Sequence, residues 1–196
     1  MNRAPAKGGD AAGRRLVFVR HGATQANLDG LRCGGDLDMP MTALGRSQIA
    51  DAARQVRHAG WPIDVIFASD LLRTKESAGI ASAVLGGIPV REMPTLRERR
   101  LGQWNLCRIE ATEAALRAGQ TPPGGESDAE FTRRIEHAIA EMLSAPWSMP
   151  LLVGSKGVAR VLRQMLGLTR EAVGNGEVLV LDVAELASTP FEGVAS

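Results

Sequence analysis

Leu16-Val17-Phe18-Val19-Arg20-His21-Gly22-Ala23-Thr24-Gln25-Ala26-Asn27 is a short apolar run that stops abruptly at an arginine, a histidine and a glycine. Its four apolar residues, three of them β-branched or aromatic, fit a strand buried on both faces, as in the middle of a parallel sheet. In open α/β sheets, ligands bind in the crevice outside the carboxyl ends of the strands. Arg20 and His21 are therefore expected to meet a ligand rather than to fill a core. Gly22 fits that expectation, because a residue without Cβ lets backbone amides come close to an anion and tolerates φ above zero.

The same pattern recurs along the chain. Val65-Ile66-Phe67-Ala68 stops at Ser69 and Asp70, and Asp70 is a good cap for a helix carrying Leu71, Leu72, Arg73, Thr74, Ser77 and Ala78. Arg73 then lies in a first helical turn beside a strand's carboxyl end. Leu151-Leu152-Val153 stops at Gly154-Ser155-Lys156-Gly157-Val158-Ala159-Arg160, which brings Ser155 and Lys156 near His21 if the two strands are neighbours. Ile88 to Glu92 reads as a further strand, and Glu177 to Val183, after a Gly-Asn-Gly turn, as the last. The fold expected is α/β: a three-layer α/β/α sandwich with a mostly parallel sheet.

The segments between these strands have their own signals. Leu28 to Met41 is rich in Gly and Asp and has no period, so it is a loop. Thr42 caps a helix through Gln48, Ala52, Val56 and His58 that ends near Gly60. Glu98 stands among Arg97, Arg99 and Arg100. Alone, that is a salt-bridged loop; beside a phosphate, it is a carboxyl group that could deliver a proton. Asn105 to Gly119 has helical composition, and a small helical lid is expected at about 105–145. Within it, Ser127 and Glu130 form a capping box for a helix through Phe131, Ile135, Ile139 and Met142. His58 and His137 read as surface residues on their helices.

Composition narrows the classes of function. A chain of 196 residues suits one domain, here expected at 15–196 with a flexible tail at 1–14. A formal charge of +1 and a pI near 7.9 give no broad basic field, so neither nucleic acid nor an anionic membrane is the expected partner. Cys33 and Cys107 lie far apart with no C-x-x-C spacing, which reads as two reduced thiols in a cytoplasmic protein and speaks against a zinc site. No apolar run reaches the ~20 residues that span a bilayer, and the first residues lack the apolar core of a signal peptide. There is no GxxxxGK[ST] phosphate loop. Whether the chain is a monomer or a homodimer is left open.

Taken together, the pieces resemble the histidine phosphatase superfamily, in its phosphoglycerate-mutase-like branch. Arg20-His21-Gly22-Ala23-Thr24-Gln25-Ala26-Asn27 is similar to its signature, and the match continues through Arg32, Gly35, Asp38, Pro40, Thr42, Gly45 and Gln48. Ser69-Asp70-Leu71-Leu72-Arg73-Thr74 resembles the segment with the second phosphate-binding arginine. Leu96-Arg97-Glu98 with Gly102 and Trp104 resembles the segment with the acid, and Pro123-Gly124-Gly125-Glu126-Ser127 is a further block.

The resemblance implies a phosphomonoesterase acting on a small phosphorylated metabolite through a phosphohistidine. His21 is the implied nucleophile, its other ring nitrogen donating to a backbone carbonyl. Arg20 and Arg73 would clamp the phosphoryl oxygens, Thr24 and Asn27 would help to bind them, and Glu98 would protonate the leaving oxygen and then activate water. No metal or cofactor is implied, since the cations do what magnesium does elsewhere. Aligning Gly157-Val158 and Arg160 with the family pattern Ser-His-x-Gly-Val-x-Arg puts Ser155 where the family carries a second pocket histidine. A hydroxyl can donate but has no charge, and Lys156 is the candidate replacement cation. Two alternatives stand beside the phosphatase: a weakly catalytic member that binds a phosphorylated ligand or partner, and a phosphomutase.

Overall fold

The computed structural model describes residues 14–169 and 171–188. The opening run forms β1 (Arg15–Arg20), followed by α1 (Gln25–Leu28), α2 (Ala43–His58), β2 (Ile66–Ala68), α3 (Leu72–Val84) and β3 (Val90–Glu92). After short 3-10 turns at Pro94–Leu96 and Gly102–Trp104 come α4 (Ile109–Arg117), α5 (Asp128–Ser144), β4 (Leu151–Gly154), α6 (Lys156–Met165), β5 (Val178–Asp182) and α7 (Ala184–Ser188). The five strands lie in the order β3-β2-β4-β1-β5. All neighbours are parallel except β5, which runs antiparallel to β1 at one edge.

Strand alternation assigns each face its own core. Leu16 and Phe18 of β1, Phe67 of β2 and Leu152 of β4 point to one side, against Phe131, Ile135 and Ile139 of α5 and Val158 and Leu162 of α6. Val17, Val19, Ile66, Ala68, Leu151 and Val153 point to the other, against Ile49, Ala52 and Val56 of α2 and Ala78 and Ala81 of α3. The result is the expected α/β/α sandwich. Both faces are covered, which is why the central strands read as unbroken apolar runs rather than as an alternating pattern. Among the described residues, no helix is long and apolar enough to cross a membrane.

Four local expectations are corrected. Asp70 does not cap α3: Leu71 is the N-cap, without a side-chain bond, and the Leu72 amide donates at 2.8 Å to Asp38 Oδ1 from the loop before α2. Asp70 instead holds Arg97 through two bonds of 2.6 Å each. The span 105–145 is not one lid, because α5 is capped by Ser127 and Glu130 as expected but buries Phe131, Ile135, Ala138, Ile139, Met142 and Leu143 in the sheet's own layer. The stretch through α4 is fastened to the loop between α1 and α2, Arg32 bonding Thr112 and Glu113. Arg14 belongs to the domain rather than to a tail, its Nη2 donating to Ala145 O at 2.6 Å; the rest of the expected tail lies outside the described residues. Gly22, finally, has no positive φ and is required by packing: a Cβ there would lie 2.1 Å from Gly45 O in the first turn of α2.

Candidate active site

Segments distant in sequence meet at the carboxyl ends of β1, β2 and β4. Because β1 and β4 pair in register, Arg20 opposite Gly154, the His21 amide donates to Gly154 O at 2.9 Å and Ser155 follows directly beside it. The His21 ring is buried, with Nδ1 2.9 Å from Gly22 O. A carbonyl only accepts, so Nδ1 carries the hydrogen and Nε2 presents its lone pair. Burial, helped by the Arg73 and Arg20 charges and opposed by the Gly22 carbonyl, pushes the ring's pKa down to about 3. The imidazole is therefore neutral at physiological pH, the state a nucleophilic nitrogen needs.

Arg73 is 1 % exposed, among the largest fully buried side chains. Its Nη1 and Nη2 donate to Leu37 O and Gly34 O, each at 3.0 Å, so the loop between α1 and α2 holds the guanidinium and leaves its other N–H groups to donate elsewhere. Arg20 Nη1 donates to Val173 O at 2.7 Å, while its Nε is buried without a partner. Burial pushes this guanidinium below its ordinary value, Arg73 adding to the effect and the Glu98 and Glu177 carboxylates opposing it.

Ser155 is the N-cap of α6, where a serine normally turns its hydroxyl onto an amide of the first turn. Here Glu98 Oε2 takes the Gly157 amide at 2.8 Å. The Ser155 hydroxyl makes no capping bond and is left buried without a partner. Glu98 Oε1 accepts from the Arg99 amide at 2.7 Å. The carboxylate rests against the helix so closely that a Cβ at Gly157 would come within 2.0 Å of Oε1.

The arginines beside Glu98 form ion pairs, as expected of a salt-bridged loop, but with other acids. Arg97 turns to Asp70, and Arg99 donates to Glu126 O at 2.7 Å and faces Asp128 at 3.4 Å. The Glu98 carboxylate is instead held by two backbone amides, those of Arg99 and Gly157.

Thr24 and Asn27 cap α1 reciprocally. Thr24 Oγ1 accepts the Asn27 amide at 3.4 Å, and Asn27 Oδ1 accepts the Thr24 amide at 3.2 Å. Asn27 Oδ1 also accepts from Asn175 Nδ2 at 3.3 Å, which leaves Nδ2 of Asn27 as its donating end. Lys156 is exposed at the first position of α6. The charges that lower His21 most are those of Arg73 and Arg20. Cys33 lies nearby as a free thiol that burial pushes up, Arg73 opposing and Glu98 adding to the shift.

The sequence reading missed three contributors. Asn175 donates to His21 O at 2.9 Å as well as to Asn27, and Val173 receives Arg20, so the Gly-Asn-Gly turn before β5 is a wall of the site. Gly157 seats the Glu98 carboxylate. Only for Gly157 was there a signal, a glycine in the first turn of a helix, where its low helix propensity calls for another reason.

A model of the histidine phosphatase superfamily (branch 1) matches residues 16–191. A probable phosphoglycerate mutase GpmB of Yersinia enterocolitica is 36 % identical over 176 residues, covering 81 % of this chain and 77 % of the relative. The solved structure of a putative alpha-ribazole-5'-P phosphatase from Escherichia coli superposes with a TM-score of 0.74 at 27 % identity, over 88 % of this chain and 92 % of the other. Mycobacterial glucosyl-3-phosphoglycerate phosphatase in complex with VO3 gives a TM-score of 0.74 at 30 % identity, over 85 % and 90 %.

Proposed function

The chain belongs to the histidine phosphatase superfamily, and on that premise we propose that it is a phosphomonoesterase acting on a small phosphorylated metabolite through a phosphohistidine on His21. One observation carries the reading. Of the buried side-chain polar atoms without a partner among the described residues, Arg20 Nε and Ser155 Oγ belong to residues at the carboxyl ends of the neighbouring strands β1 and β4, where His21 also lies. An unsatisfied buried donor costs about 1–3 kcal/mol, so two of them together favour an anionic acceptor between them.

In the first step His21 Nε2 attacks phosphorus, the bond to the ester oxygen breaks, and Glu98 gives that oxygen its proton. Arg20 and Arg73 meet the charge spread over the phosphoryl oxygens, with the Asn27 amide and the Ser155 hydroxyl as neutral donors. In the second step Glu98 takes a proton from water, the water oxygen bonds to phosphorus as the P–N bond breaks, and inorganic phosphate leaves His21 neutral as before.

Two of the solved neighbours are named as phosphatases, which favours water as the acceptor; the sequence relative is named as a mutase, which favours a second hydroxyl. Incubation with radiolabelled phosphomonoesters, followed by quenching in acid or base, decides the chemistry. Acid-labile, base-stable label on wild type and none on His21→Ala, with release of inorganic phosphate, is the expected result. Label that passes to a diphosphorylated or isomeric product would favour the mutase, and the absence of any label would favour a binder.

A further inference from the structure

We propose that Asp36 is the positioning residue that keeps Glu98 within reach of the leaving oxygen, and so decides how well the chain cleaves esters of weakly acidic alcohols. The proposal rests on the reading of Glu98 as proton donor.

Asp36 is exposed in the loop between α1 and α2 and, read in sequence, is one more solvated acid. Its carboxylate is nevertheless committed. Oδ1 accepts the Leu101 amide at 3.0 Å and Asn105 Nδ2 at 2.8 Å, and Oδ2 accepts the Gly102 amide at 2.8 Å. These donors, which outweigh the effect of partial burial, hold the carboxyl below its ordinary range. Two amides of the same bend donate to the facing stretch, that of Gly35 to the backbone Arg99 O at 2.9 Å and that of Gly34 to the side-chain Asn105 Oδ1 at 2.7 Å. A Cβ at Gly35 would lie 2.0 Å from Glu98 O, so the two strips of chain touch along their backbones.

Glu98 is therefore held from two sides. Arg134 donates to Arg97 O at 2.9 Å and to Glu98 O at 3.4 Å, and Asp36 ties down residues 101–105 just beyond. Without the Asp36 carboxylate, the Leu101 and Gly102 amides lose their acceptors. The stretch beyond Glu98 keeps its bonds from Gly35 to Arg99 and between Arg100 and Glu126 but loses its hold at residues 101 and 102, and that slack lets the Glu98 carboxylate shift on the first turn of α6. Arg73 keeps its own carbonyls, Gly34 O and Leu37 O, so phosphate binding is affected less than proton delivery.

The test compares wild type, Asp36→Ala, Asp36→Asn and Glu98→Gln on p-nitrophenyl phosphate, whose phenolate leaves without a proton, and on n-butyl phosphate, whose alkoxide does not. Asp36→Ala is expected to lower kcat on the butyl ester by about tenfold or more and on the nitrophenyl ester by less than about threefold, with KM nearly constant, in the direction of Glu98→Gln. Asp36→Asn, which keeps one acceptor oxygen, should fall between. Equal losses on both esters, or none on the butyl ester, would overturn the proposal. Amide exchange reads the same point without turnover, because the Arg99 and Gly157 amides are held by Glu98. Unchanged protection there in Asp36→Ala overturns the positioning role; faster exchange in Asp36→Ala, together with a wild type inert to both esters, upholds it while overturning the phosphatase reading.

Discussion

Ser155 shows how much one side chain governs here. Its hydroxyl is free to meet an anion because Glu98 has taken over the capping of α6, yet it brings no charge to the developing transition state. Ser155→His is expected to raise kcat on p-nitrophenyl phosphate; an unchanged or lower rate would show that the hydroxyl already suffices. Arg73 is the opposite case, a buried charge with two fixed carbonyl partners. Arg73→Ala should cost about 3–4 kcal/mol of transition-state stabilisation, roughly two to three orders of magnitude in kcat. Near-normal turnover would mean the phosphoryl group sits elsewhere. Gly157→Ala probes the seat of Glu98: with a methyl group where the carboxylate now lies, kcat should fall while the affinity for inorganic phosphate, read by calorimetry, stays close to that of wild type.

Helix ends carry these residues, and they divide into those the sequence reveals and those it hides. The Thr42 cap of α2 and the Ser127–Glu130 box of α5 were legible, because such a cap needs only residues within one turn. Ser127→Ala should therefore lower unfolding free energy by about 1 kcal/mol in a urea titration. Asp70 looked equally able to cap α3 and does not, since Arg97 from a segment 27 positions away offers it a two-pronged partner and Asp38 reaches the Leu72 amide instead. Choice between a local amide and a distant guanidinium is made by tertiary structure. The same reason hid Asp36, Asn175 and the backbone setting of Glu98. The strand-end grammar that exposed Arg20, His21, Arg73 and Ser155, by contrast, is written into contiguous residues. Both strand faces being buried made the apolar runs clear, and their abrupt stops marked the crevice.

At the scale of the whole molecule, the neutral His21 links the site to stability. Its ring pKa is about 3 when folded and near 6.5 when free, so the unfolded chain takes up a proton first as pH falls. This contribution is fully present above about 6.5 and is lost progressively as pH drops toward about 3. Asp36, Asp70 and Glu113, whose carboxyls are held low by their partners, add their own loss only below their ordinary values of 3.8 to 4.5. Urea midpoints between pH 7 and 5 should thus fall for wild type and fall less for His21→Asn; parallel slopes would mean that the imidazole takes up its proton as readily in the native state as in the unfolded one.

The sheet order has a consequence for biosynthesis. β1 carries the candidate nucleophile at its end, yet it lies between β4 and β5, the last two strands to be made, and the turn at Val173–Glu177 closes over Arg20. A nascent polypeptide that has left the ribosome only as far as α5 holds His21 with neither flanking strand. Chemical competence should then arrive late and at once, when the final hairpin-like return docks, and chains stopped short of Val173 should acquire no labile phosphate.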